Sequence, residues 1–148
     1  MLIENDIFWL FKNTIERYGW IDLPANGNSM YPFIKKGDIC RFNNCDPLCL
    51  KKGDVILFCS RTNQLIAHRL HQIKTINHRL YFIVKGDTNL GFDEPLKREQ
   101  IIGRLSSLQR KGSNKSVHTL PSYILKKIMI HFPIISSLLR LYMNRRFV

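Results

Sequence analysis

The sequence predicts a mainly β fold, and three observations carry that reading. Between Trp20 and Leu108 the apolar residues fall in runs of strand length rather than at helical spacing. Gly, Asp, Asn and Pro punctuate those runs. The three Lys-Gly-Asp triplets, at 36–38, 52–54 and 85–87, each mark a turn at a strand edge, where glycine can take positive φ and aspartate can accept from neighbouring amides.

The elements follow in order. Residues 5–18 place Ile7, Phe8, Phe11, Ile15 and Tyr18 on one side at helical spacing, with Asn5 or Asp6 as cap and Gly19 as stop. This short amphipathic helix packs its apolar face on the domain, with Phe8, Trp9 and Phe11 as a lesser option for lipid contact. The strand runs are WIDL, DICRF, DVILFCS, LIAHRLHQI, RLYFIVKG and QIIGRLSSL, all rich in β-branched and aromatic residues. The polar stretch QRKGSNKS at 109–116 reads as a linker. Beyond it, Ile124, Ile128, Phe132, Ile135, Leu139 and Tyr142 recur every three or four residues, and Pro133 should kink or divide that helix. The organisation expected is a helix over 1–19, a β domain over 20–108 and a basic linker with a tail helix over 109–148.

A chain of 148 residues suits one domain with a modest core. Apolar residues make up 45%, which excludes a disordered or fibrous chain. The net charge of +12 is unevenly spread. All 11 acidic residues lie at or before Glu99, beside 14 of the 23 basic ones, so the first 99 residues carry only +3. The tail holds the excess, which suits an anionic surface, either phospholipid or nucleic acid, or a solvated face. Cys40, Cys45, Cys49 and Cys59 lack the short paired spacing of zinc sites, so no metal is expected. Cys40 and Cys59 read as small buried hydrophobes, and the unframed set mildly favours a reducing compartment. Glu4 and Asp6 stand where a signal peptide would be basic, and no run of 18 apolar residues occurs, so no secretory leader or spanning anchor is expected.

Four segments carry chemistry together: GNSMYPFIKKGD at 27–38, KKGDVILF at 51–58, IAHRL at 66–70 and VKGDTNLGFD at 84–93. A serine alcohol is a poor nucleophile unless a base takes its proton, and a histidine base works best when a carboxylate fixes its tautomer. Ser29, His68 and the acids Asp87 and Asp93 supply those residue types. Imidazole is largely neutral near pH 7, so a histidine base needs no desolvated pocket. The backbone amide of Ser29 is a candidate donor to an oxyanion. Asp38 and Asp54 read as turn formers. His71 should face away from His68 in a strand, and His78, beside an expected hairpin turn, His118 and His131 read as surface or packing residues.

In order and spacing, the four segments resemble the LexA and type I signal peptidase superfamily of serine peptidases, over residues 20–108. The histidine is similar to that of signal peptidases of the endoplasmic reticulum, archaea and some Gram-positive bacteria, whereas Gly-x-Ser-Met looks like the LexA side. The resemblance implies a small antiparallel β core of the signal peptidase/LexA kind, flanked here by the N-terminal helix and the C-terminal amphipathic helix. It implies Ser29 as nucleophile, His68 as general base, Asp93 as the residue orienting His68, and a structural or supporting role for Asp87; the two acids could exchange roles. Many signal peptidases place a hydroxyl two residues before the nucleophile, where this chain has Gly27, so Asn28 or another amide would have to be the second oxyanion donor.

The resemblance further implies an extended peptide substrate bordered by residues 22–26 and part of FCSRT at 58–62, with small residues preferred at the first and third positions before the cut. It needs no cofactor. The leading expectation is removal of a leader or signal peptide by an enzyme resting peripherally on a membrane, the cytoplasmic face favoured, with the basic tail on anionic lipid or a membrane protein as partner. The alternatives are a self-cleaving, LexA-like DNA-associated regulator and a non-catalytic peptide-binding module. Nucleic acid is disfavoured, because no helix-turn-helix precedes the core and no Ala-Gly or Cys-Gly site lies upstream of Ser29.

Overall fold

In a computed structural model, which describes residues 3–146 and side chains from Ile7 onward, the chain is mainly antiparallel β. It contains α1 (Ile3–Tyr18), β1 (Trp20–Pro24), β2 (Ile39–Asn43), β3 (Val55–Cys59), β4 (Leu65–Ile76), β5 (Arg79–Lys85), β6 (Leu96–Lys97), β7 (Ile101–Arg110), β8 (Ser113–Ser116), α2 (Leu120–His131) and α3 (Ile134–Arg146). One sheet runs in the order β1-β2-β7-β3-β4-β5-β6, with β8 paired to the outer half of β7.

β3 positions everything else. Its five residues VILFC are all buried, because Val55, Leu57 and Cys59 enter one apolar cluster while Ile56 and Phe58 enter a second on the other face. A continuous apolar run is what a strand covered on both faces requires. The first cluster holds Ile15, Ile21, Met30, Phe42, Leu105 and Leu108; the second holds Leu70, Phe82, Val84, Leu96 and Ile101. Full burial of each large side chain contributes about 1.5–3 kcal/mol, so truncations in β3 are costly.

The Lys-Gly-Asp turns behave as their chemistry requires in two cases of three. Gly37 and Gly53 take φ of 92° and 94°, and Asp38 and Asp54 accept from the amides of Lys35 and Lys51 at 2.8 Å each. Burial opposes ionisation of Asp38, yet bonds from Arg110 and the Lys35 amide hold its carboxyl below the usual range. The third triplet is different: Gly86 has no positive φ, and Asp87 faces a guanidinium instead of an amide.

Several expectations are corrected. The first helix begins at Ile3, ahead of Asn5 and Asp6, so neither is its cap residue; their side chains lie outside the described ones. Its buried face is Ile15, with Phe8 and Phe11 packed against the first cluster, whereas Ile7 and Tyr18 are exposed. The stretch 109–116 is a hairpin rather than a linker. β7 runs to Arg110, Lys111 and Gly112 turn with φ of 50° and 78°, and β8 pairs back. Two consecutive positive φ values match the right-handed twist of paired strands, and β8 escaped notice because SNKS has no apolar alternation. β4 and β5 are joined by a similar turn at Asn77 and His78.

Pro133 does divide the tail, into α2 and α3. Both helices fold back on the β domain with Met129, Ser136 and Met143 buried; of the expected apolar row, Ile128, Ile135 and Leu139 are half-buried, while Ile124, Phe132 and Tyr142 are exposed. The break at Pro133 resets the helical phase, so one periodicity cannot describe both halves. Lys126 holds α2 to the domain, with its ammonium 3.6 Å from Asp54. Tyr142 holds α3, stacked on Tyr31 at 6.1 Å between ring centroids.

Candidate active site

Ser29, His68 and Asp93 come together in one line of contacts. Ser29 Oγ lies 3.1 Å from His68 Nε2, and His68 Nδ1 lies 2.5 Å from Asp93 Oδ2. The three arrive from separate elements. Ser29 opens a tight turn after β1, secured by Tyr31 N to Asn28 O at 3.1 Å and Ile34 N to Met30 O at 2.9 Å. His68 stands in the first half of β4, opposite Ile56 of β3, with its ring edge-on to Phe58. Asp93 stands in the loop between β5 and β6, where its amide donates to Val84 O at 3.0 Å.

The histidine is more enclosed than its chemistry demands. His68 is only 5% exposed, so the low dielectric around it strengthens its carboxylate contact and fixes the ring. Gly86 permits this crowding: a Cβ there would stand 3.0 Å from His68 Nε2 and 2.7 Å from Asn89 Nδ2. Glycine is required here by close approach rather than by backbone conformation.

The two acids separate cleanly. Asp93 faces His68, whereas Asp87 is fully buried and bound by Arg69 through Nε at 2.8 Å and Nη2 at 2.7 Å. Arg69 Nη1 also donates to Gly53 O at 3.0 Å, and the guanidinium stands over the Phe33 ring. Neighbouring residues of β4 thus face the two acids of one loop. Thr88 adds a tie to the serine turn, donating its amide to Ser29 O at 2.9 Å and its hydroxyl to Asn28 O at 3.3 Å. Arg69 and Thr88 were not singled out in the sequence; Arg69 directly follows the candidate base, but nothing in a linear reading says that it is buried.

The oxyanion candidates stand as follows. The Ser29 amide donates to no protein acceptor among the described residues. The Gly27 position has open space around it, so no side chain supplies a donor there. The Asn28 carbonyl accepts from Tyr31 and Thr88, while the N–H groups of Asn28 donate to no protein acceptor among the described residues.

Ser29 and His68 line a cleft of about 440 Å³. One wall is Leu23, Pro24, Ala25, Asn26 and Gly27; the other is Leu65, Ile66 and Ala67; Cys40, Phe42 and Leu57 are also among its lining. Both walls are strand edges. β1 ends the sheet, and β5 pairs β4 only from Arg69 onward, so 65–68 has a ladder partner on the β3 side alone. The first wall overlaps the expected stretch 22–26 at residues 23–26. FCSRT does not line the cleft: those residues border hollows lined by Glu94 and Lys97, because the hairpin after β3 turns at 60–64 and only the returning strand reaches the cleft.

The remaining titratable residues lie apart from this line. Cys40, Cys45, Cys49 and Cys59 are free thiols, and burial pushes Cys40 up to about 12, so it lines the cleft as an inert apolar group. His71 is the extra residue of a bulge between Leu70 and Gln72, which interrupts the strand alternation assumed for it. Burial, helped by Lys85, pushes its imidazole down to about 4, and its ring meets Phe92 edge-on. His78, His118 and His131 are exposed. No helix among the described residues is long and apolar enough to cross a membrane.

No protein-family model matches the chain, and no curated protein matches it.

Proposed function

We propose that this protein is a serine endopeptidase resembling type I signal peptidases, which cuts an extended peptide laid between β1 and β4. The observation that carries the proposal is the Ser29–His68–Asp93 line at the wall of an apolar cleft. His68 takes the Ser29 proton as Oγ attacks the scissile carbonyl, and Asp93 stabilises the imidazolium that forms. The Ser29 amide donates to the oxyanion of the tetrahedral intermediate. His68 then protonates the leaving amine, and water, activated by the same imidazole, releases the acyl group from Ser29.

Two open strand edges explain the substrate class. A peptide entering as an added strand would find backbone partners on either side, while its side chains alternate between the apolar interior and solvent. Arg69, Asp87 and Thr88 act as positioning residues that hold the loops of Ser29, His68 and Asp93 in register. In this reading the enzyme removes a leader or signal segment while resting peripherally on a membrane, on its cytoplasmic face.

The test is mass spectrometry of a peptide library incubated with purified protein. Cleavage at defined sites by the wild type, absent with Ser29→Ala, is the expected outcome. Equal cleavage by both proteins would overturn the proposal.

A further inference from the structure

Helices α2 and α3 are apolar on the face that packs against the domain and again on the face that does not. In α2 the inward side carries Met129, with Leu125 and Ile128 half-buried, while Leu120, Tyr123, Ile124 and Lys127 form an outward row at helical spacing. In α3 Ser136 and Met143 are buried and Tyr142 stacks on Tyr31 at the flank, while Ile134, Leu138, Leu141 and Arg145 form the corresponding outward row. A helix that merely caps a domain is polar on its outer face. Here the outer faces include Leu120 at 71% exposure, Ile134 at 67% and Leu141 at 59%, which water alone does not favour.

The charges around these rows choose the occupant. No acidic residue occurs after Glu99. Lys127, Arg140 and Arg145 have no carboxylate partner among the described residues, and Lys126 is the tail cation that pairs with Asp54. The Lys127 ammonium lies 5.0 Å from the centre of the Tyr123 ring, and Arg146 stands over Tyr142. Cationic heads beside aromatic rings, at the margin of leucine and isoleucine, match the depth profile of a bilayer interface: acyl chains, then ring-level boundary, then headgroup phosphate.

We propose that the outward faces of α2 and α3 form a docking surface for an anionic phospholipid bilayer. The stacking of Tyr142 on Tyr31, two residues beyond Ser29, then brings the rim of the cleft to the membrane surface. The lipid contact stands on the helices alone; the meaning of that last placement rests on the peptidase reading.

Sedimentation of the full chain with vesicles tests this surface. The wild type should bind phosphatidylcholine vesicles containing phosphatidylglycerol and leave pure phosphatidylcholine vesicles largely free. Lys127→Gln with Arg145→Gln should weaken binding about 30-fold, since each basic residue near an anionic surface contributes about 1 kcal/mol. Leu138→Glu with Leu141→Glu should abolish it, with an unchanged circular dichroism spectrum and unchanged cleavage of a soluble peptide. Failure of the wild type to bind anionic vesicles at low salt, or undiminished binding by the Leu138→Glu/Leu141→Glu variant, would overturn the proposal. So would a stable dimer in solution that this variant splits, because the rows would then be covered by a second copy. Vesicle binding and the dimer test do not depend on Ser29, so failure of either leaves the peptidase proposal standing, and the reverse.

Discussion

The backbone amide of Thr88 donates to the carbonyl of Ser29 at 2.9 Å, and that bond joins the loop bearing both acids to the turn bearing the hydroxyl. On one side of Thr88 stands Asp87, locked to Arg69 of β4; five residues beyond it stands Asp93, against His68 of the same strand. The site is therefore a closed circuit of three segments, and disturbing different links should give different symptoms.

Ser29→Ala and His68→Ala should each lower kcat/KM by about 10³-fold or more, since residues that act as a unit lose nearly everything together. Melting temperatures should stay close to wild type for Ser29→Ala, whose hydroxyl is half-buried and has one protein partner. The double variant should be little worse than either single one, and kinetics on one cleaved peptide check this.

Asp93→Asn keeps the shape of the loop and removes the charge that steadies the imidazolium. A loss on the order of 10³ to 10⁴ in kcat with little change in KM is expected. A KM effect alone would assign Asp93 to substrate binding instead.

Asp87→Asn should act on stability first. Its carboxylate and the Arg69 guanidinium are both almost wholly buried, and removing one partner strands the other at a cost of about 3–5 kcal/mol. Replacing both, as Arg69→Met with Asp87→Leu, should recover part of the melting temperature without restoring the geometry at His68. Denaturant unfolding of the single and double variants separates these effects.

Gly86→Ala inserts a methyl group between Asn89 and His68 Nε2. The side chain of Asn89 can move aside, but the imidazole must give a few tenths of an ångström, so kcat should fall by about 10-fold to 10²-fold in a folded protein. Unchanged turnover would mean that the ring tolerates displacement and that its position is not limiting.

His71 sets a pH dependence of stability. Its imidazole is pushed down to about 4 by burial, against a usual value of 6.5, so between those values the unfolded chain binds a proton that the folded chain refuses. Stability from this group is present above about 6.5 and is lost as pH falls towards about 4. The drop in melting temperature between about pH 7 and pH 4 should be smaller in His71→Asn than in the wild type.

Much of the β fold can be read in the sequence, because strand runs such as VILFC and the turns at Gly37 and Gly53 obey local chemistry. The grouping of Ser29, His68 and Asp93 was legible through the resemblance of four segments, not through periodicity. What escaped depends on partners distant in sequence. SNKS becomes β8 only because β7 offers an edge. The resemblance placed Asp93 on His68, but the partner of Asp87 escaped, because a basic residue in a strand does not announce that it is buried as Arg69 is. In the tail, apolar residues on every side leave the buried row undetermined, and Pro133 shifts the phase between the halves.

A boronic acid analogue of the best-cleaved library peptide probes the central claim, that the Ser29 oxygen is a nucleophile deprotonated by His68. An activated serine oxygen adds to boron and turns it tetrahedral, which ¹¹B NMR reports directly. The account predicts a tetrahedral signal with the wild type, a much weaker one with His68→Ala and none with Ser29→Ala. A signal that persists in Ser29→Ala, or that never forms in the wild type, would contradict it.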